Sequence, residues 1–206
     1  MKDTLNKLQK VEQLAAAGVL SRFFANPARY VSAMALVKFI YPVTRKSSLR
    51  QTNLFWGDSM KVLLPAATDI YLTGGKTHES ETRLAKYLVK NLKQGDTFVD
   101  IGAHFGYFTL LAAHLVGNSG KVYGIEPAKG TFEVLKENVS AKNNISIYHN
   151  AVSDKQEVVS FYEFPVLYSE YNAMNVDKFE NESWMQKHLG QSWTQSCPIC
   201  AARSSW

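Results

Sequence analysis

The chain has 206 residues, 46% of them hydrophobic, so it is long and apolar enough to bury the core of one domain. This composition excludes an intrinsically disordered protein, and two cysteines, Cys197 and Cys200, exclude a disulfide-rich scaffold. The formal net charge of +5 is unevenly distributed along the chain.

Most of the positive charge lies at the N-terminus. Residues 1–50 hold nine Lys and Arg against Asp3 and Glu12, a net charge of +7, which leaves −2 for the remainder. We therefore predict a basic helical N-terminal arm over residues 1–49. Such an arm could contact an anionic membrane surface or an acidic partner, but a solvated helix face is the favoured interpretation. No nucleic-acid partner is expected, because aromatic residues are not interleaved with the cations.

The N-terminal segment also bears on location. The first 13 residues are polar and charged, which does not fit a secretory signal peptide. The apolar stretch 30–43 is too short to span a bilayer and contains Lys38. We expect a cytoplasmic protein, with peripheral membrane contact as the alternative.

Apolar spacing predicts two helices in the arm, over residues 4–24 and 27–40, with a stop at Pro42. A small β addition is predicted over residues 50–76. It comprises a hairpin turning at Gly57-Asp58 and a third strand over residues 69–72.

The segment 77–170 is the predicted core of the domain. A helix is predicted to start at an N-cap, Ser80, and to bury the stripe Leu84, Leu88 and Leu92. A short buried strand follows and ends on Asp100.

Two glycines, Gly102 and Gly106, separate this strand from an apolar helix. Strand, glycine turn and helix form the nucleotide-binding corner of a doubly wound α/β fold. The next strand ends on Glu126, 20 residues after Gly106, where such units place the acid that binds ribose hydroxyls. A third strand contains Ile145 and Ile147 and ends at Asn150, whose side chain could hydrogen-bond an adenine.

The glycine spacing is G-x-x-x-G, and Asp100 occupies the position of the first glycine in a dinucleotide-binding G-x-G-x-x-G motif. A carboxylate at this place disfavours a pyrophosphate. It suits S-adenosylmethionine (SAM), which has a sulfonium, an ammonium and a ribose but no phosphate. A nicotinamide-dependent oxidoreductase is the alternative, and the missing first glycine counts against it.

The motifs resemble the FkbM family of SAM-dependent methyltransferases. The resemblance covers residues 50–165 and rests on 78–82, 99–110, 120–127 and 150–154. It implies an α/β, Rossmann-like fold and methyl transfer from SAM to a hydroxyl of a sugar, a glycan or a small molecule. The cofactor-binding residues expected on this basis are Glu79, Asp100, Gly102, Ala103, His104, Gly106, Glu126 and Asn150.

The residues of this set are expected to have different roles. Asp100 and the backbone from Gly102 to Gly106 are expected to face the methionine portion of SAM. Glu79 is expected near the pocket or simply in the first turn of its helix. His104 stands where the family usually has Asn, so it could contact the cofactor, act as a base or only form the turn. No catalytic base and no metal site are predicted.

After the third core strand the family pattern stops. A strand-like run is predicted over residues 157–163, but the family's fourth core strand is not recognisable. We expect residues 171–206 to be an irregular tail that results from a truncated or frame-shifted reading, with a diverged short form as the alternative. A non-catalytic SAM-binding remnant is therefore a further alternative function. The pair Cys197 and Cys200 is interpreted as a chance spacing, not half of a zinc site.

Overall fold

The computed structural model describes residues 2–153, 158–172 and 193–201. The helices are α1 (Lys2–Ala16), α2 (Val19–Ala25), α3 (Pro27–Ala35), α4 (Tyr41–Thr44), α5 (Thr68–Thr73), α6 (Glu79–Asn91), α7 (Tyr107–Val116) and α8 (Lys129–Val139). The strands are β1 (Ser48–Asn53), β2 (Ser59–Leu64), β3 (Thr97–Ile101), β4 (Lys121–Ile125), β5 (Ile145–Tyr148), β6 (Ala151–Ser153), β7 (Val158–Glu163) and β8 (Trp193–Ala201). None of the described helices is long and apolar enough to cross a bilayer.

The N-terminal arm is helical as predicted, but its breaks differ from the prediction. The first predicted helix is divided into α1 and α2 at Gly18. Asn26 caps α3, with its side-chain oxygen accepting from the Arg29 amide at 3.1 Å. The predicted stop at Pro42 is wrong. A π-helical turn over Leu36–Ile40 leads directly into α4, and Pro42 lies in the first turn of α4, where its missing N–H is tolerated.

Strands β1 and β2 form the predicted antiparallel hairpin, with Ser48 opposite Leu64. The predicted third strand over residues 69–72 is wrong, because this segment is helix α5. Its neighbouring residues Ile70 and Tyr71 are both buried. Two adjacent side chains can share the buried face of a helix, whereas a strand would point them to opposite sides.

Helix α6 starts at Glu79 with His78 as its N-cap residue, so the predicted N-cap at Ser80 is wrong. The Ser80 hydroxyl instead contacts the His78 ring at 2.9 Å. Leu88 is buried as predicted, but Leu84 is 41% exposed. The buried face is completed by Ala85 and Val89, one position further along the helix.

The centre of the molecule is a parallel sheet of order β3-β4-β5. Residues Phe98 and Val122 are paired, and Val122 is also paired with Ile145. Helix α7 packs against β3 and β4. On the other face of the sheet, Val99 and Ile101 of β3 are 41% and 64% exposed. The architecture is therefore the predicted Rossmann-like α/β corner.

The turn from α7 into β4 is tightly closed. The Gly95 amide donates to the carbonyl of Val116 at 2.9 Å, and the Lys121 amide donates to that of Asp96 at 3.0 Å. A Cβ added at Gly120 would lie 2.5 Å from the Val116 Cβ and 2.6 Å from the Asp96 oxygen. Only glycine fits here, because these distances are far shorter than ordinary contacts.

The C-terminal segment departs from the prediction. Within the stretch predicted to be irregular, residues 193–201 form β8, which pairs antiparallel with β7 and parallel with β6. Its Trp, Thr and Ile residues favour strands, and pairing on both sides satisfies its backbone. Cys197 and Cys200 belong to this strand, opposite Val159 and Val152. The predicted strand at 157–163 is confirmed from Val158 to Glu163, and residue 157 lies outside the described part.

Candidate functional site

Three residues in the turn between β3 and α7 have positive φ angles. Gly102 and Gly106 have φ angles of +80° and +92°, and His104 between them has +51°. The amides of Gly102 and Ala103 both donate to the Ile125 carbonyl, at 2.8 and 3.0 Å. The turn is thus fixed to the end of β4, and the predicted strand, glycine turn and helix are present.

The two glycines serve different purposes. A Cβ at Gly106 would lie 2.7 Å from the Leu135 Cδ1, so this glycine lets α7 approach α8. No atom lies within 4 Å of a Cβ built at Gly102. Gly102 is therefore favoured by its left-handed backbone and not by crowding.

Glu126 connects this turn to α8. Its Oε2 accepts from the His104 amide at 2.7 Å, and its Oε1 accepts from the Ala128 amide at 2.9 Å and the Thr131 hydroxyl at 2.8 Å. The side chain is 4% exposed. These three donors hold the carboxylate in place between the glycine turn and α8.

A cavity of about 530 Å³ opens at the carboxyl ends of β3 and β4. This is the edge at which open α/β sheets bind ligands, and the volume is that of a small-molecule site. Five of the expected cofactor-binding residues line it: Gly102, Ala103, His104, Glu126 and Asn150.

The other three expected residues lie elsewhere. Asp100 accepts a 2.6 Å hydrogen bond from Thr109 of α7, and burial raises the pKa of its carboxyl. Gly106 packs against α8. Glu79 is 81% exposed and pairs with Arg83 at 3.5 Å. Its neighbour Glu81 lines the cavity instead, because residues two apart on a helix point in different directions.

A charged cluster that the sequence did not reveal also lines the cavity. The Lys76 ammonium contacts Glu81 at 2.8 Å and Glu170 at 2.7 Å, and Lys76 is 8% exposed. Burial disfavours its charge, but Glu170 and Glu81 outweigh burial and raise the pKa of Lys76. The cavity therefore faces one ammonium and three carboxylates, those of Glu81, Glu126 and Glu170.

His104 is a neutral imidazole in this site. Its Nε2 lies 2.9 Å from the Ser169 hydroxyl, and its ring lies on that of Phe105. Burial, reinforced by Lys76, lowers the pKa of His104 to about 3. So low a pKa makes His104 a poor general base at neutral pH.

Two buried polar groups in the cavity wall have no hydrogen-bond partner within the described part of the chain. They are the hydroxyl of Tyr107 and the amide nitrogen of Asn172. Buried polar groups are nearly always satisfied, so these two are available to a ligand.

Parts of this chain are similar to known methyltransferases. The family model of the methyltransferase FkbM domain matches residues 100–195. A Saccharolobus solfataricus protein named "Probable cobalt-precorrin-6B C(15)-methyltransferase (decarboxylating)" is 36% identical over 66 residues. The match covers 32% of each chain, so this chain spans about a third of that relative.

Solved structures of SAM-dependent proteins also align with parts of this chain. Aeropyrum pernix fibrillarin with bound SAM is 27% identical over 34% of this chain and 32% of its own, with a TM-score of 0.30. A SAM-dependent O-methyltransferase of Thermotoga maritima is 20% identical over 54% of this chain and 44% of its own, with a TM-score of 0.33.

The family match confirms the resemblance drawn from the motifs and moves its C-terminal limit. The match continues through residues 171–195, part of the predicted tail, and it includes the glycine turn, Glu126 and Asn150.

Proposed function

We propose that the chain binds SAM in the cavity at the glycine turn and acts in SAM-dependent methyl transfer. The observation that carries the proposal is the charge of the cavity wall, three carboxylates against one ammonium. SAM carries a sulfonium and an ammonium, and nearby carboxylates stabilise both cations. It also carries a single carboxylate, which could pair with the Lys76 ammonium. The unpartnered Tyr107 hydroxyl and Asn172 amide supply further polar contacts.

The same charge argues against a nicotinamide dinucleotide. Its pyrophosphate would bring anionic oxygens to a wall that already has three carboxylates. The glycine turn also lacks the first glycine of the dinucleotide motif, and Asp100 occupies that place.

We propose a hydroxyl of a sugar, a glycan or a small molecule as the methyl acceptor, on the basis of the FkbM family match. In this step the hydroxyl oxygen forms a bond to the methyl carbon, the bond from that carbon to sulfur breaks, and the hydroxyl proton passes to a base. The protein's contribution is to hold donor and acceptor in line. With its low pKa, His104 is better suited to shaping the turn than to taking the proton.

Calorimetric titration with SAM, S-adenosylhomocysteine and NAD tests the cofactor. Glu81→Gln and Glu170→Gln remove cavity charge, and each should weaken SAM binding about 5- to 30-fold, equivalent to roughly 1–2 kcal/mol. The control is Glu133→Gln, an exposed acid on α8, which should leave binding unchanged. Preferential NAD binding would contradict the proposal. If the folded protein binds none of the three ligands, the chain is a non-catalytic remnant.

The acceptor needs a separate measurement, because cofactor binding does not identify it. Transfer of a labelled methyl group would be measured to glycans, to small polyols and to total RNA in parallel. Label in the glycan or polyol fraction is the expected outcome. Label in RNA alone would overturn the glycan or small-molecule acceptor proposed here while leaving the SAM site in place.

A further inference from the structure

The N-terminal arm exposes an unusual number of large apolar side chains. On α2, Leu20 and Phe24 are 71% and 72% exposed. On the following helix, Val31, Phe39 and Val43 are 56%, 72% and 83% exposed. These residues recur at intervals of four or eight, so each set forms a stripe along one side of its helix. Contiguous exposed apolar surface of this kind marks an interaction site.

The opposite side of the helix from α3 to α4 already has partners in the core. Ala33, Leu36 and Tyr41 are buried in the core. Arg29 is also committed to the fold, since its guanidinium donates to Thr52 and to the Tyr71 carbonyl. The exposed stripes are therefore not the packing face of a displaced arm. They remain uncovered by the described residues while the arm is docked.

In the sequence, cations are interspersed with these apolar residues and acids are not. The sequence contains no Asp or Glu between residues 13 and 57. Within this stretch Lys38, Lys46 and Arg50 are exposed, and no ion pair of the described residues includes them. Bulky apolar residues interspersed with unpaired cations are typical of helices that lie in the headgroup region of a membrane.

We infer that the face formed by α2 and the helix from α3 to α4 docks on an anionic lipid bilayer. The apolar side chains would enter the headgroup and acyl boundary while the cations contact lipid phosphates and carboxylates. The helices would lie flat, because α2 has only seven residues and would span about 10 Å. A second copy docking arm to arm is disfavoured, since it would bring two acid-free cationic surfaces together.

Co-sedimentation with vesicles tests this inference without reference to the proposed enzymatic activity. Vesicles of phosphatidylcholine alone would be compared with vesicles containing roughly one-third phosphatidylserine, at low and high salt. The wild-type chain should bind the anionic vesicles, bind neutral ones at least about tenfold less, and lose binding as salt is raised.

Two sets of exposed substitutions separate the contributions. Phe24→Ser with Phe39→Ser and Val43→Ser removes apolar contact, and Lys38→Gln with Lys46→Gln and Arg50→Gln removes charge. Each triple variant should lose roughly tenfold or more of its binding to anionic vesicles. The controls change exposed positions outside the N-terminal arm and should bind as the wild type does. The apolar control is Tyr87→Ser, at a residue of α6 that is 62% exposed. The charge control combines Lys90→Gln, Lys93→Gln and Lys121→Gln.

Several results would overturn the inference. They are no vesicle binding by folded wild-type protein, equal binding to neutral and anionic vesicles, and equal losses in the control variants. Light scattering would detect the remaining rival. If the chain is a dimer that the apolar triple variant converts to a monomer, and vesicles do not bind, then the face is an interface between copies.

Discussion

A single residue, His104, adds an imidazole to the wall of the cavity. It adopts a left-handed backbone, which histidine and asparagine tolerate better than most residues. Its imidazole is held between Phe105 and Ser169, and its pKa is lowered to about 3 from an ordinary value of 6.5. The histidine therefore fits the turn sterically while it introduces a titration that asparagine would not have.

We expect His104→Asn to change the pH dependence of stability. In the unfolded chain His104 takes up a proton below pH 6.5, whereas in the native chain it stays neutral until the pH approaches 3. The free energy of unfolding therefore decreases as the pH falls from 6.5 toward 3. Relative to His104→Asn, the wild-type free energy of unfolding should fall by up to about 1.4 kcal/mol per pH unit in this window. Urea unfolding at stepped pH measures it.

The matched substitution His114→Asn, at an exposed position of α7, controls for the loss of a histidine elsewhere. Parallel pH profiles for the wild type and His104→Asn would show that His104 does not stay neutral in the folded protein.

At the scale of elements, the 3₁₀-helical segment Val166–Tyr171 lines one side of the cavity. Glu170 pairs with Lys76, and Ser169 contacts His104. Lys76 outweighs the effect of burial and lowers the pKa of Glu170, so the pair is ionised at neutral pH. These side-chain contacts hold the segment beside the glycine turn.

Removal of this ion pair should therefore loosen the segment locally. Glu170→Ala should make chymotryptic cleavage near Leu167 and Tyr168 roughly fivefold faster, equivalent to about 1 kcal/mol of local stability. Glu137→Ala is the control, because Glu137 also pairs with a lysine at 2.9 Å and its side chain is similarly exposed, 50% against 54%. Equal cleavage rates in both variants would show that the ion pair does not hold the segment.

The sequence could predict those parts of the site whose spacing a βαβ unit fixes. Gly102, Glu126 and Asn150 follow consecutive parallel strands, so the topology alone brings them to one edge of the sheet. Lys76 and Glu170 come from a loop before the sheet and a 3₁₀ turn after it. Their meeting depends on tertiary packing over a separation of 94 residues, which no local pattern encodes.

Errors of element type have a similar origin. The segment 69–72 has strand-like residues, but packing selected a helix because Ile70 and Tyr71 both enter the core. Residues 193–201 have no strand partner nearby in the sequence, and β8 is recognisable only when β6 and β7 are paired beside it. The spacing of apolar residues reflects one segment alone, whereas the secondary structure of that segment also depends on the elements that pack beside it.

For the whole molecule, burial distinguishes the firmly packed centre of the chain from the exposed helix α2. Val122 of β4 is fully buried and β4 is paired on both sides, while α2 buries none of its residues. We expect amide hydrogen exchange to be slowest in β4 and α7 and fastest, among the described helices, in α2. Anionic vesicles should slow exchange in α2 and in the helix from α3 to α4, and leave β4 and α7 unchanged. Protection of α2 equal to that of β4 without lipid would contradict this division.

The closed turn at Gly120 has a consequence for sequence change. Any side chain at this position must displace Val116 or the Asp96 carbonyl, and so separate α7 from the starts of β3 and β4. Both strands deliver the cavity's residues at their opposite ends, about five residues away. In a library of random variants selected for a folded, ligand-binding chain, we expect position 120 to return only glycine, although it lies far from any ligand.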